Sequence, residues 1–135
     1  MNTFSLALFY GWAAALLLSG ATGVLAGPWE LRTIFQVDVA TLDPAARSTL
    51  LNHYRFLRAL ELGVGAVCLA YRKPMLTIRA WNRVFLALLV TSAGARALSL
   101  AADGRPRWFL LVVTAFECLT AAVFATRASQ LVERA

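Results

Sequence analysis

Histidine occurs once in this chain, at His53, and cysteine twice, at Cys68 and Cys118. That scarcity argues against metal and thiol-redox chemistry, because a structural zinc site needs about four nitrogen or sulfur ligands and a redox pair needs two neighbouring thiols. There is no C-x-x-C motif, and the two cysteines are predicted at different levels of different helices. Both are therefore expected to be core packing residues, and a disulfide is not expected. A glycine-rich phosphate loop, a nucleophile elbow and paired aspartates are also missing. No catalytic residue, metal ligand or cofactor is assigned on these grounds.

Charge is scarce as well. Only 15% of the 135 residues are charged and 60% are hydrophobic, with a mean hydropathy of +0.67. A soluble domain is nearer half apolar and a quarter charged. What fills the chain instead is long apolar runs. Four blocks, at about 4–26, 50–72, 82–102 and 108–127, are each long enough to cross a hydrocarbon core. They leave no room for a soluble domain, so residues 1–135 are expected to form a single all-α domain, an integral membrane bundle of four transmembrane helices. The first block lacks a positive n-region and is longer than a signal-peptide apolar core, so it is expected to be a retained helix. The net charge of +6 does not point to nucleic acid, because the basic residues gather at helix ends rather than on one face of a soluble module.

Loop charge sets the expected orientation. Arg72, Lys73, Arg79 and Arg83 join helices two and three, and Arg127 and Arg134 follow helix four. The opposite side has Arg32, Arg47, Arg105 and Arg107, neutralised by Glu30, Asp38, Asp43 and Asp103. Both termini are therefore expected inside, in a multi-pass protein of the bacterial cytoplasmic (inner) membrane. The few prolines mark boundaries. Gly27-Pro28 is expected to end helix one, Asp43-Pro44 to cap and start helix two, Lys73-Pro74 to close it, and Asp103-Gly104-Arg105-Pro106 to form a tight outer turn. Residues 29–42 read as a loop or a short amphipathic surface piece. Gly23, Gly27, Ala59, Gly63, Ser92, Gly94 and Ala95 are placed where helices approach closely. Trp29, Trp81 and Trp108 read as interfacial anchors, with Trp12 deeper.

Against this apolar background, five ionisable residues stand inside predicted spans: Arg55, Arg58, Glu61, Arg96 and Glu117. A charge at bilayer depth costs several kcal/mol unless paired or hydrated, and such residues usually mark a site. At about 1.5 Å per residue, all five fall between the outer interface and the midplane. Arg58 and Glu61 are spaced to pair along one helix, and Arg96 and Glu117 to pair between neighbouring helices. Arg55 is expected to reach outward, with Asn52, His53 and Tyr54 around it at the rim. Three arginines against two carboxylates leave one positive charge in excess, which favours an anionic headgroup or carboxylate at Arg55, Arg58 and Arg96, with Asn52 and His53 as polar neighbours. Glu61 and Glu117 are taken as the structural charge partners.

The run Leu51-Asn52-His53-Tyr54-Arg55-Phe56-Leu57 with Gly63 and Gly65, then Gly94-Ala95-Arg96-Ala97-Leu98-Ser99-Leu100, Asp103-Gly104-Arg105-Pro106 and Phe116-Glu117, resembles a bacterial family of small four-helix membrane proteins, domain of unknown function 4345. Arg55, Arg96, Ser99, Gly104, Pro106 and Glu117 match its pattern, whereas Arg58 and Glu61 depart from it. The resemblance implies a four-helix fold and no established activity. Arg58-Ala59-Leu60-Glu61 is weakly similar to helix two of membrane glutathione and eicosanoid enzymes, without their asparagine.

The expected function is thus non-enzymatic binding of an anionic lipid or amphiphile. Its alternatives are an accessory subunit of a larger membrane complex and, third, a membrane-embedded lipid- or glutathione-type enzyme. The expected partners are membrane lipids, a larger membrane protein complex or further copies of the chain, and not nucleic acid.

Overall fold

A computed structural model describes residues 3–128. It is helical, with no strand among the described residues: α1 (Thr3–Glu30), a π-turn (Leu31–Phe35), a 3-10 turn (Val39–Thr41), α2 (Pro44–Ala70), the short α3 (Arg72–Thr77), α4 (Arg79–Ala102) and α5 (Trp108–Ala128). Three stretches are long and apolar enough to cross a membrane, Thr3–Phe35, Arg79–Ala102 and Trp108–Ala128. At 27 residues α2 has the length, but Arg55, Arg58 and Glu61 lower its apolar character. Arg134, counted above for orientation, lies outside the described residues.

The chain divides into two compact units. One unit is Gly11–Leu69, in which α1 and α2 run antiparallel at close range. Moving along α1, Gly20 meets the α2 backbone and Gly23 meets the stem of Arg58. A Cβ on Gly20 would stand 2.6 Å from the backbone nitrogen of Leu62, and one on Gly23 would stand 2.2 Å from Cγ of Arg58. A third close approach, Gly65 against Ala13, Leu16 and Leu17, continues the contact. Gly63 and Gly94 have nothing within 4 Å of a built Cβ. Of the small residues marked for close approach, those two glycines therefore face open space.

Two boundaries depart from expectation for physical reasons. Helix α1 does not stop at Gly27-Pro28. Ala26 leaves helical geometry, with φ −125 and ψ 33, and the helix resumes through Pro28 to Glu30. A proline costs nothing in the first turn of a restarted helix, where its missing N–H has no partner to lose. For the same reason Pro74 does not close α2. The break is at Tyr71, and Pro74 sits in the first turn of α3. The expected start of α2 is as read: Oδ1 of Asp43 accepts from the backbone N–H of Ala45 and Ala46, both at 3.0 Å.

The other unit comprises the chain up to Tyr10 and from Ala70 onward. Its core is an aromatic cluster of Phe9, Phe85 and Phe124, all buried, with Phe85 and Phe124 edge-on at 4.9 Å. Helices α4 and α5 are joined by the turn at Gly104, whose φ of +91 suits glycine. The hydroxyl of Ser99 donates to Asp103 at 2.8 Å and fastens the end of α4. Tyr71 and Trp81 stack at 5.0 Å. Trp29 and Trp108 are exposed and Trp12 is buried. Cys68 is buried, whereas Cys118, expected in the core, is exposed; neither is in a disulfide.

Because the neighbour of Gly20 is backbone and cannot swing away, Gly20→Ala is expected to lower the melting temperature of the purified protein clearly. Gly63→Ala, placed in open space, is expected to leave it unchanged or raise it slightly through the better helix propensity of alanine. Equal melting of the two variants would show that α1 and α2 do not pack at this distance.

Candidate functional site

The charged residues form two centres, one in each unit. In the unit Gly11–Leu69, Arg58 of α2 is the hub. Its Nη1 donates to Oε2 of Glu61, one turn along the same helix, and its Nη2 donates to Oε1 of Glu30 at 2.7 Å. Nε and Nη2 both donate to the Tyr54 hydroxyl, at 3.0 and 2.9 Å. The Ser19 hydroxyl donates to Oε2 of Glu61 at 2.9 Å. The guanidinium also lies over the rings of Tyr54 and Phe35, at 5.0 and 5.5 Å from their centroids. Gly23 makes the room through which the Arg58 stem reaches this position.

Glu30 is the residue that sequence reasoning placed wrongly, as an acid of the outer loop. It is buried, with 3% of its side chain exposed, because the helix restart after Ala26 carries it back against α2. A usable signal was present: in Gly27-Pro28-Trp29-Glu30, proline and the acid stand where the first and third positions of a restarting helix prefer them. With Glu30 counted, Arg58 faces two carboxylates, and the expected excess of positive charge does not exist at this centre.

In the other unit, Arg96 of α4 and Glu117 of α5 meet directly, Nε to Oε2 at 3.0 Å. Ser92, one turn before Arg96, donates to Oε1 of Glu117 at 2.8 Å. Both carboxylate oxygens are thus satisfied. Glu117 is 3% exposed and Arg96 is 31% exposed, so this pair is buried on one side and opens outward on the other. Ser92, read from the sequence only as a small packing residue, is a ligand of the buried acid.

The remaining expected site residues stand elsewhere. Asn52, His53 and Arg55 are exposed on the outer surface of α2 and contribute no hydrogen bond or ion pair to the Arg58 centre. Their strip continues through the exposed Phe56, Ala59 and Gly63. Among the described residues, no group of three or more His, Cys, Asp or Glu residues is arranged to hold a metal.

Removing one partner of a buried ion pair strands the other charge. Glu117→Gln is expected to destabilise the protein by roughly 3 kcal/mol, the lower end for such a pair because Arg96 keeps partial access to its surroundings. Adding Arg96→Met to a Glu117→Leu variant is expected to recover much of the loss. Thermal unfolding of the single and double variants checks this, and an unchanged melting temperature for Glu117→Gln would exclude a buried pair.

The comparisons agree with the resemblance seen in the sequence. No curated protein and no solved structure matches this chain. A family model matches residues 5–126, nearly the whole length and including both charged centres. The chain belongs to the family described as domain of unknown function (DUF4345).

Proposed function

We propose that this chain is a non-enzymatic integral membrane protein that binds an anionic lipid or amphiphile on the outer half of α2, with Arg55 as the headgroup ligand. The observation that carries the proposal is the division of labour among the arginines. Arg58 and Arg96 already donate to carboxylates, whereas Arg55 is exposed and outside both networks. Asn52 and His53 stand beside it as exposed hydrogen-bonding groups. Below it on the same helix, Phe56, Ala59 and Gly63 offer an exposed apolar strip of the kind an acyl chain lies along, and nothing stands within 4 Å of the Gly63 Cβ position. A guanidinium presents paired donors that match a phosphate or carboxylate in two-point geometry. The Arg58 centre then serves to hold α2, which presents this strip, against α1.

In this reading α2 joins α1, α4 and α5 as a fourth span, its internal charges neutralised by pairing. Both termini face the cytoplasm of a bacterial cell, in keeping with the bias of loop arginines and lysines. Cysteines introduced at positions 2 and 133, which lie outside the described residues, are expected to react with impermeant reagents only from the cytoplasmic side. Reaction from outside would invert the orientation and move the Arg55 strip to the inner leaflet.

Lipid analysis of the purified protein tests the ligand. A charge-assisted hydrogen bond contributes about 1.5–3 kcal/mol, so Arg55→Gln is expected to retain roughly ten-fold less anionic lipid than wild type. Equal recovery from both would remove the binding reading. It would leave the exposed apolar helix faces to be explained by a larger membrane complex, in which the chain acts as an accessory subunit.

A further inference from the structure

The contacts between α4 and α5 fall on a regular ladder. Ser92 meets Glu117, and Phe85 meets Phe124 with ring centroids 4.9 Å apart. Between them stand Leu89 and Thr120, both fully buried. From Ser92 the inward positions of α4 step back by three and then four residues, and those of α5 step forward from Glu117 by the same intervals, as antiparallel helices require. The next step of three on each helix reaches Asn82 and Arg127. These two residues therefore stand at one level, a turn beyond the phenylalanine contact.

Both carry an enclosed polar atom that nothing among the described residues satisfies. Asn82 is 1% exposed; its Nδ2 donates to the backbone carbonyl of Met75 at 3.4 Å, and its Oδ1 accepts from no donor. Nη1 of Arg127 is buried with no acceptor. Buried polar groups are rarely left so, because each has given up water without a replacement. The positive charge is equally unmatched. Among the described residues of this unit the acids are Asp103, at the far end of α4, and Glu117, already held by Arg96. Arg72, Lys73, Arg79 and Arg83 add positive charge at the same end. Arg127 is only half-buried, so this level is reached past its side chain.

A group that completes this level must accept from Arg127, donate to Asn82 and carry negative charge. Water does the first two and lacks the charge, whereas an oxyanion without a hydroxyl accepts but has nothing to donate. We propose that Asn82 and Arg127 bind an oxyanion that carries a hydroxyl, of the phosphoglycerol type. An anionic oxygen takes the hydrogen bond from Nη1 of Arg127, and the hydroxyl donates to Oδ1 of Asn82. A lipid headgroup and a soluble glycerol phosphate share this chemistry. The site belongs to a different unit from Arg55 and does not rest on lipid binding there.

The test measures binding to the full chain in detergent with three probes: short-chain phosphatidylglycerol, phosphatidylethanol, which has the same charge and no hydroxyl, and glycerol phosphate. Wild type is expected to bind phosphatidylglycerol roughly ten-fold more tightly than phosphatidylethanol. Asn82→Leu is expected to abolish that preference while still binding both lipids, and Asn82→Ala takes its place if the leucine variant does not fold. Arg127→Gln is expected to weaken both lipids roughly ten-fold. Arg55→Gln is expected to keep the preference. Displacement of the lipid by an equal concentration of glycerol phosphate makes a soluble ester the occupant, and failure to displace it makes the headgroup the occupant; the proposal is upheld in either case. It is overturned if wild type binds the two lipids equally, or if Arg127→Gln binds them as wild type does. It is also overturned if the preference is lost in Arg55→Gln and survives in the Asn82 variants, a result that would assign the hydroxyl to the Arg55 strip and leave the reading above intact.

Discussion

An arginine taken among apolar helices cannot give up its charge, and Arg58 and Arg96 are each fixed by carboxylates. Much of the local structure follows from that constraint. The kink at Ala26 returns Glu30 to α2, Gly23 of α1 leaves room for the Arg58 stem, and the serines of α1 and α4 complete the shells of Glu61 and Glu117. None of these features is apolar packing for its own sake. They place hydrogen-bond partners around charges drawn in among helices, since an unpaired buried charge costs more than the pair itself contributes.

The helices, the capped start of α2 at Asp43 and the pairing of Arg96 with Glu117 were legible in the sequence, because each rests on local chemistry or on charges spaced to meet. The turn at Gly104 was legible for the same reason, and its positive φ and the Ser99–Asp103 hydrogen bond account for two of the positions that carry the family resemblance. The role of Glu30 was not legible. Proline was read as a terminator, and whether a chain ends or restarts at a proline depends on what the following turn packs against. The same ambiguity misplaced the end of α2 near Pro74. Spacing showed that Arg58 reaches Glu61, but no periodicity shows that a residue 28 positions away completes the centre.

Small residues illustrate a second limit. Gly20, Gly23, Gly63 and Gly94 look alike in sequence, yet the first two are filled by α2 and the others are open. Spacing identifies positions where close approach is permitted, and only the partner helix decides whether it occurs. The fall of Cys118 on an exposed face, against its expected place in the core, has the same origin. On a helix that is apolar around most of its circumference, hydrophobicity does not reveal which side faces inward.

The two pairings differ in sequence order, and that order bears on how the chain enters a membrane as it is made. Glu30 precedes Arg58 in the chain, and Glu61 follows it by three residues, one turn along the same helix. The guanidinium of α2 therefore has one carboxylate partner made before it and another close behind. Arg96 precedes Glu117, its partner, by the full length of a turn and half a helix. If α4 partitioned alone it would carry an unmatched arginine, at about 2.5–3.5 kcal/mol on an insertion scale for the centre of a span. In a membrane, the short turn from Asp103 to Pro106 would remove that obstacle by letting α4 and α5 enter together as a hairpin, with the charge matched before it is immersed.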